Sequence, residues 1–135
     1  MQKEVTKSWA LFIGIGIIMI AHGLQMQLMG IRSVVEEFSV ITTGIFMSGY
    51  FMGYFLGSNT TPKLVQKVGH IRVFAAFASL ASLSALLAAV YVNPTMWTLS
   101  RFITGISLVS CYIVTESWLN DRATNKNRGQ LLSAY

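Results

Sequence analysis

The chain has 135 residues and a formal net charge of +5, yet only 11% of its residues are charged, 53% are hydrophobic and its mean hydropathy is +0.57. That balance excludes a water-soluble domain, whose surface needs far more polar side chains than these. It also argues against a nucleic-acid partner, because the basic residues fall in short segments between apolar runs and no charged face is left to hold a polyanion.

A spanning helix needs roughly 20 predominantly apolar residues, and four such runs follow one another. The first, Trp9 to Met29, is uncharged. Lys3 and Lys7 precede it as they would a secretory leader, but the run exceeds the about 7 to 15 residues of a leader's apolar core and shows no small-residue cleavage site. It reads as a spanning helix over about 9–29. The second uncharged stretch, between Glu37 and Lys63, predicts a helix over about 39–60. Within it the segment GYFMGYFLGS spaces Gly49, Gly53 and Gly57 four residues apart. The third run, Val73 to Val92, predicts a helix over about 72–92, closed by Asn93-Pro94-Thr95 as a tight helical hairpin. The fourth, over about 96–118, is interrupted by Arg101 and Glu116 and bracketed by Trp97 and Trp118, as interfacial indoles bracket a span. A polar, basic loop, NDRATNKNRG, leads to QLLSAY, where an apolar pattern restarts as a fifth helix would from about residue 129. The expectation is an all-α membrane protein with no soluble domain, residues 1–135 forming a partial amino-terminal bundle of something longer.

Orientation follows from the basic residues, since cytoplasmic loops retain Lys and Arg during insertion. If the spans alternate, Lys3, Lys7, Lys63, Lys67, Arg72, Arg122, Lys126 and Arg128 share one side, and only Arg32 and Arg101 lie toward the other. The amino terminus is therefore expected in the cytoplasm. Cys111 is single and lies within a span, and His22 and His70 are far apart with no Cys or carboxylate cluster beside them, so neither a metal nor a cofactor is expected. Ser48, Ser107 and Ser110 have no companion histidine of defined geometry, so an intramembrane enzyme is not expected.

Small residues at four-residue spacing let two helix backbones approach closely in lipid. For Gly49, Gly53 and Gly57 this means packing within the bundle or, alternatively, a homodimer interface of a small oligomeric membrane protein with a scaffolding or regulatory role.

The segment GSNTTPKLVQKVGHIRVF, joining the second and third helices, resembles the signature loop of the major facilitator superfamily, approximately G-x-L-x-D-R-x-G-R-R/K. Leu64, Lys67 and Gly69 match it; Pro62 stands for the first glycine, Gln66 for the aspartate, His70 for the second arginine and Ile71 for the last basic residue, with Arg72 one position later. RFITG resembles that family's fourth-helix motif R-x-x-Q-G through Arg101 and Gly105, with Thr104 for glutamine. Glu116 and Arg128-Gly129 resemble its acidic helix end and following Arg-Gly, and the segment from Arg101 to Tyr135 is especially like a bacterial inner-membrane branch whose substrates are largely unassigned.

The resemblance implies a secondary transporter of about twelve helices in two six-helix halves that moves a small-molecule substrate by alternating access. It implies a bacterial inner-membrane location and proton coupling. This chain would be most of one half, with the lipid bilayer and the missing carboxy-terminal half as its partners. Helix 2 packs between the halves in that architecture, which implies a partner for the glycine stripe outside these residues. Gln66, Lys67, Gly69, Arg72, Glu116 and Arg128 would form the cytoplasmic gate, with Glu116 pairing with Lys67, Arg72 or Arg128.

Ionisable groups at membrane depth are costly and mark candidate function. Arg101 sits about 8 Å inside the start of its helix, either snorkelling to the interface or coupling substrate and proton movement. His22 and Gln25 share a face of helix 1, with Gln25 about 6 Å from the helix end, near the level of Arg101. The three are the candidate substrate and proton-coupling residues, the alternative for His22 and Gln25 being hydrogen bonds to neighbouring helices alone.

Overall fold

The structure, a computed structural model, describes residues 2–122 and Gly129. It consists of α1 (Gln2–Val35), α2 (Val40–Val68), α3 (His70–Val90) and α4 (Pro94–Arg122), each containing a stretch long and apolar enough to cross a membrane. The expected fifth helix lies outside the described residues apart from Gly129.

The helices begin and end later or earlier than the apolar runs, for local reasons. α1 continues from Met29 to Val35 because Gly30 and Arg32 are tolerated in a helix and Ile31, Val34 and Val35 extend its apolar surface. Its end is a Schellman motif. The Phe38 amide donates to the Ser33 carbonyl at 2.9 Å and the Glu37 amide to the Val34 carbonyl at 3.1 Å, with Glu37 in the left-handed region at φ 55°. Arg32 leans on Glu36 at 3.4 Å on the exposed side of this turn. Ser39 caps α2, accepting from the Thr42 amide at 3.1 Å. α4 opens with Pro94 in its first turn, where the missing N–H is no loss, and Asn93 Oδ1 accepts from the Thr95 amide at 2.8 Å.

The expected loop between helices 2 and 3 is almost entirely helical. α2 runs through Pro62 to Val68, and Gly69 alone links it to α3. Gly69 adopts φ 93°, ψ 158°, a conformation open to glycine and strained for any side chain, while its amide closes α2 on the Val65 carbonyl.

α4 is the hub. Of its most apolar stretch 56% is buried, against 6% for α1. α2 and α3 pack along it most extensively, while α1 meets it more sparingly. The glycine stripe explains the α2 contact and corrects its expected partner: Gly49, Gly53 and Gly57 meet α4 of the same chain. A Cβ on Gly49 would stand 2.9 Å from the Thr98 carbonyl oxygen, one on Gly53 would collide with the Phe102 carbonyl, and one on Gly57 would meet the Val109 side chain. From the other side, a Cβ on Gly105 would strike the Tyr50 carbonyl.

Hydroxyls fasten the same seams. Thr61 and Ser110 share a hydrogen bond of 2.6 Å between α2 and α4, and Ser84 and Thr104 one of 2.8 Å between α3 and α4. Ser100 donates to the Ser84 carbonyl at 2.6 Å. At the Asn93 end, Trp97 is 1% exposed, so it is a core residue and not the interfacial anchor that its position near a helix start suggests. Its indole stands edge-on to Phe38 and Phe46, and Nε1 donates to the Ala88 carbonyl at 3.0 Å, which satisfies its polar atom inside the protein.

Gly53→Ala should lower the melting temperature of the detergent-purified complete protein by the equivalent of about 1–3 kcal/mol, the usual scale of overpacking. Gly44→Ala, on the same helix with nothing within 4 Å of the new Cβ, is the control; equal effects at the two positions would refute the close α2–α4 seam. Gly69→Ala should cost about 1–3 kcal/mol through backbone strain alone. It has open space around its Cβ, so a loss in the same thermal assay isolates conformation from contact.

Candidate functional site

Arg101 lies two turns into α4, on the side where α2 and α1 converge. Because the glycines bring α2 against α4, Tyr50 is held beside the arginine, and the guanidinium carbon sits 4.9 Å from the Tyr50 ring centroid. From α1, Met26 brings its thioether to 2.7 Å from Arg101 Nη2, which donates to the sulfur. Tyr50 in turn stacks on the imidazole of His22, centroids 5.3 Å apart and planes 18° from parallel. The result is a column, His22 on Tyr50 beside Arg101, built from three helices.

Arg101 is 1% exposed. The snorkelling alternative therefore gives way to burial: the side chain turns inward because two partners, a π face and a thioether, are held within its reach by neighbouring helices. Both are weak acceptors for a cation. Among the described residues, Arg101 Nε and Nη1, His22 Nδ1, Gln25 Nε2 and Ser107 Oγ are buried without a hydrogen-bond partner.

Gln25 does not join the arginine. With α1 running on to Val35, it lies about 15 Å from the helix end instead of about 6 Å, and Met26, one position along, takes the place beside Arg101. Gln25 and His22 instead line a cavity of about 350 Å³ between α1, α3 and α4, whose walls include Ala78, Ala81, Ala85 and Leu108. His22 belongs to both features, with its ring on Tyr50 and its edge on the cavity. Sequence reading passed over Tyr50 and Met26. Tyr50 was legible in principle, one residue after Gly49 and so beside the face that must touch a neighbour; nothing in the sequence marks Met26.

At the Gly69 end the polar residues are arranged differently from the expected gate. Gln66, Lys67, Arg72 and Glu116 are all exposed, and among the described residues no ion pair joins Glu116 to Lys67 or Arg72. Arg128 lies outside the described residues. His70 makes the cross-helix link instead, its Nε2 2.9 Å from Ser117 Oγ and 3.5 Å from Asp121 Oδ2, tying the start of α3 to the end of α4. His70 occupies that place because the single-residue turn at Gly69 sets the first residue of α3 directly against α4.

The family model of the Major Facilitator Superfamily matches residues 11–135. An uncharacterized MFS-type transporter of Enterobacter sp. (strain 638) is 31% identical over 100 residues, an overlap of 74% of this chain and 26% of that relative. YcaD, an uncharacterized MFS-type transporter of Escherichia coli O45:K1 (strain S88 / ExPEC), is 31% identical over 102 residues with the same shares. The chain thus spans about a quarter of the length of the curated relatives it matches. No solved structure matches it. With four helices able to span a bilayer and a family match over nearly its whole length, this multi-pass membrane protein belongs to the Major Facilitator Superfamily, a family of transporters.

Proposed function

We propose that this chain is the amino-terminal part of a secondary active transporter that carries a small solute across a bacterial inner membrane by alternating access, coupled to protons. The observation that carries the reading is Arg101: a guanidinium buried within a membrane span, with two donor nitrogens unpartnered among the described residues and a thioether and a ring face beside it. Such a charge is too costly to keep for packing alone. His22, stacked on Tyr50 beside the arginine, and Gln25, on the adjoining cavity, are the other residues of this reading, with His22 as the proton-carrying group.

The Gly69 end is the cytoplasmic side in this reading, because Lys63, Lys67 and Arg72 gather there. Gln66, Lys67, Gly69, Arg72, Glu116 and Arg128 then face the cytoplasm, where changing contacts with the other half of the protein would open and close the path. A homodimer through the α2 glycines loses its support, since α4 already fills that groove.

The test uses the complete protein in proteoliposomes, supplied with a uniformly carbon-13-labelled bacterial extract under an imposed pH gradient, with captured solutes identified by mass spectrometry. Wild type should accumulate one or a few solutes, and collapsing the gradient should abolish this. Arg101→Ala should reduce uptake to the level of protein-free vesicles, and Arg101→Lys should leave a residue of it, since lysine keeps the charge and loses the planar fork. Uptake of the same solute at the wild-type rate by Arg101→Ala would refute the site.

A further inference from the structure

We infer that the solute recognised at this site bears a carboxylate, which displaces Met26 to form a paired hydrogen bond with Arg101 while the body of the solute occupies the cavity between α1, α3 and α4. The inference rests on the transport-site reading above and names the class of its substrate.

The first support is charge. The chain has five acidic residues, and none stands at the level of Arg101. Glu36 and Glu37 lie beyond the end of α1, about 15 Å from Met26 along the helix axis; Glu4 lies about 33 Å away in the other direction, and Glu116 and Asp121 lie about 22 and 30 Å along α4 from Arg101. The buried guanidinium therefore has no counter-charge from these residues. A buried cation without a compensating anion is strongly unfavourable, and a solute that supplies one gains the interaction at full strength.

The second support is the donor inventory. Arg101 Nε and Nη1 and Gln25 Nε2 are donors, and His22 Nδ1 joins them when it carries a proton. The acceptors beside Arg101 are a sulfur and an aromatic face, both weak, while Gln25 faces the adjoining cavity. A site with excess donors selects a ligand with excess acceptors. Two oxygens in one plane match the guanidinium fork better than a neutral carbonyl or a hydroxyl does. Met26 is suited to yield: it is unbranched, 39% exposed and bound through a contact that a carboxylate oxygen outcompetes.

The third support is shape. The cavity beside His22 and Gln25 holds about 350 Å³, within the range of small-molecule sites, and its alanine and leucine walls accept an apolar body. Its polar lining is His22 and Gln25 from α1 with the Ser82 and Thr104 hydroxyls from α3 and α4, and Thr104, one turn along α4 from Arg101, links the cavity to the guanidinium, which does not itself line it.

Thermal unfolding of the purified complete protein tests this with sodium benzoate, set against benzamide and benzylamine at matched ionic strength. Benzoate should raise the melting temperature by several degrees, whereas the neutral amide and the cationic amine should leave it unchanged. Arg101→Gln should abolish the shift, and Arg101→Lys should weaken the apparent affinity by about tenfold, the value of one charge-assisted bond. Met26→Leu, which removes the competing sulfur and keeps the volume, should tighten benzoate binding several-fold; a purely structural contact would not move in that direction. A benzamide shift equal to benzoate's, no benzoate shift, or a benzoate shift that survives Arg101→Gln would each overturn the inference. The two readings fail separately: an Arg101-dependent solute from the labelled extract that is neutral or cationic sinks the carboxylate and leaves the transport site. Arg101-dependent benzoate binding beside Arg101-independent uptake does the reverse.

Discussion

With glycine at 49, 53 and 57 on α2 and at 105 on α4, the two backbones approach until carbonyls of one lie where side chains of the other would begin. Lipid offers no hydrophobic drive for two helices to meet, so this contact relies on dispersion at short range and on the hydroxyl bonds that the short range permits. The Thr61–Ser110 bond of 2.6 Å is one consequence. The position of Tyr50 is another, because a residue next to Gly49 on a helix this close to α4 has nowhere to go but along the side of Arg101.

The arginine site therefore descends from the glycine seam. A bulkier residue at 49 or 53 would move α2 outward, and the ring that now faces the guanidinium at 4.9 Å would withdraw with it. His22 would lose its stacking partner at the same time. Met26 and His22 approach from α1, the helix with the least burial. One wall of the site is thus firmly held and the other lightly held.

Much of this was legible in the residues. Run lengths and absent charges gave the spans, because a bilayer imposes a minimum length that the eye can count. Helix ends were less legible: Met29 looked like a terminus because Gly30 and Arg32 follow, yet the stop comes at a left-handed Glu37 that no propensity favours. Between helices expected over about 39–60 and 72–92 the spacing predicts a loop, but α2 persists past Pro62 to Val68 and the turn contracts to Gly69. The glycine stripe declared a close contact without declaring with whom, and family architecture pointed away from α4. The depth of Arg101 was visible in the spacing. Its burial was not, because burial depended on Tyr50 and Met26 arriving from helices far away in sequence.

The distribution of polarity among the helices has the same origin. α3 is the most apolar of the four and is mostly exposed, whereas α4, among the least apolar, is the most buried. In water that order would be inverted. In a bilayer the surrounding solvent is itself apolar, so a polar residue is stabilised by being placed inside the protein, where Ser84, Ser100, Thr104 and Ser110 all find partners. α4 lies at the centre because it carries the groups that lipid would reject. Arg101 is the extreme member of that set, and among the described residues it is left, with Ser107 Oγ, without partners for all its polar atoms. A helix buried for its polarity thus carries one charge that no carboxylate among the described residues pairs with.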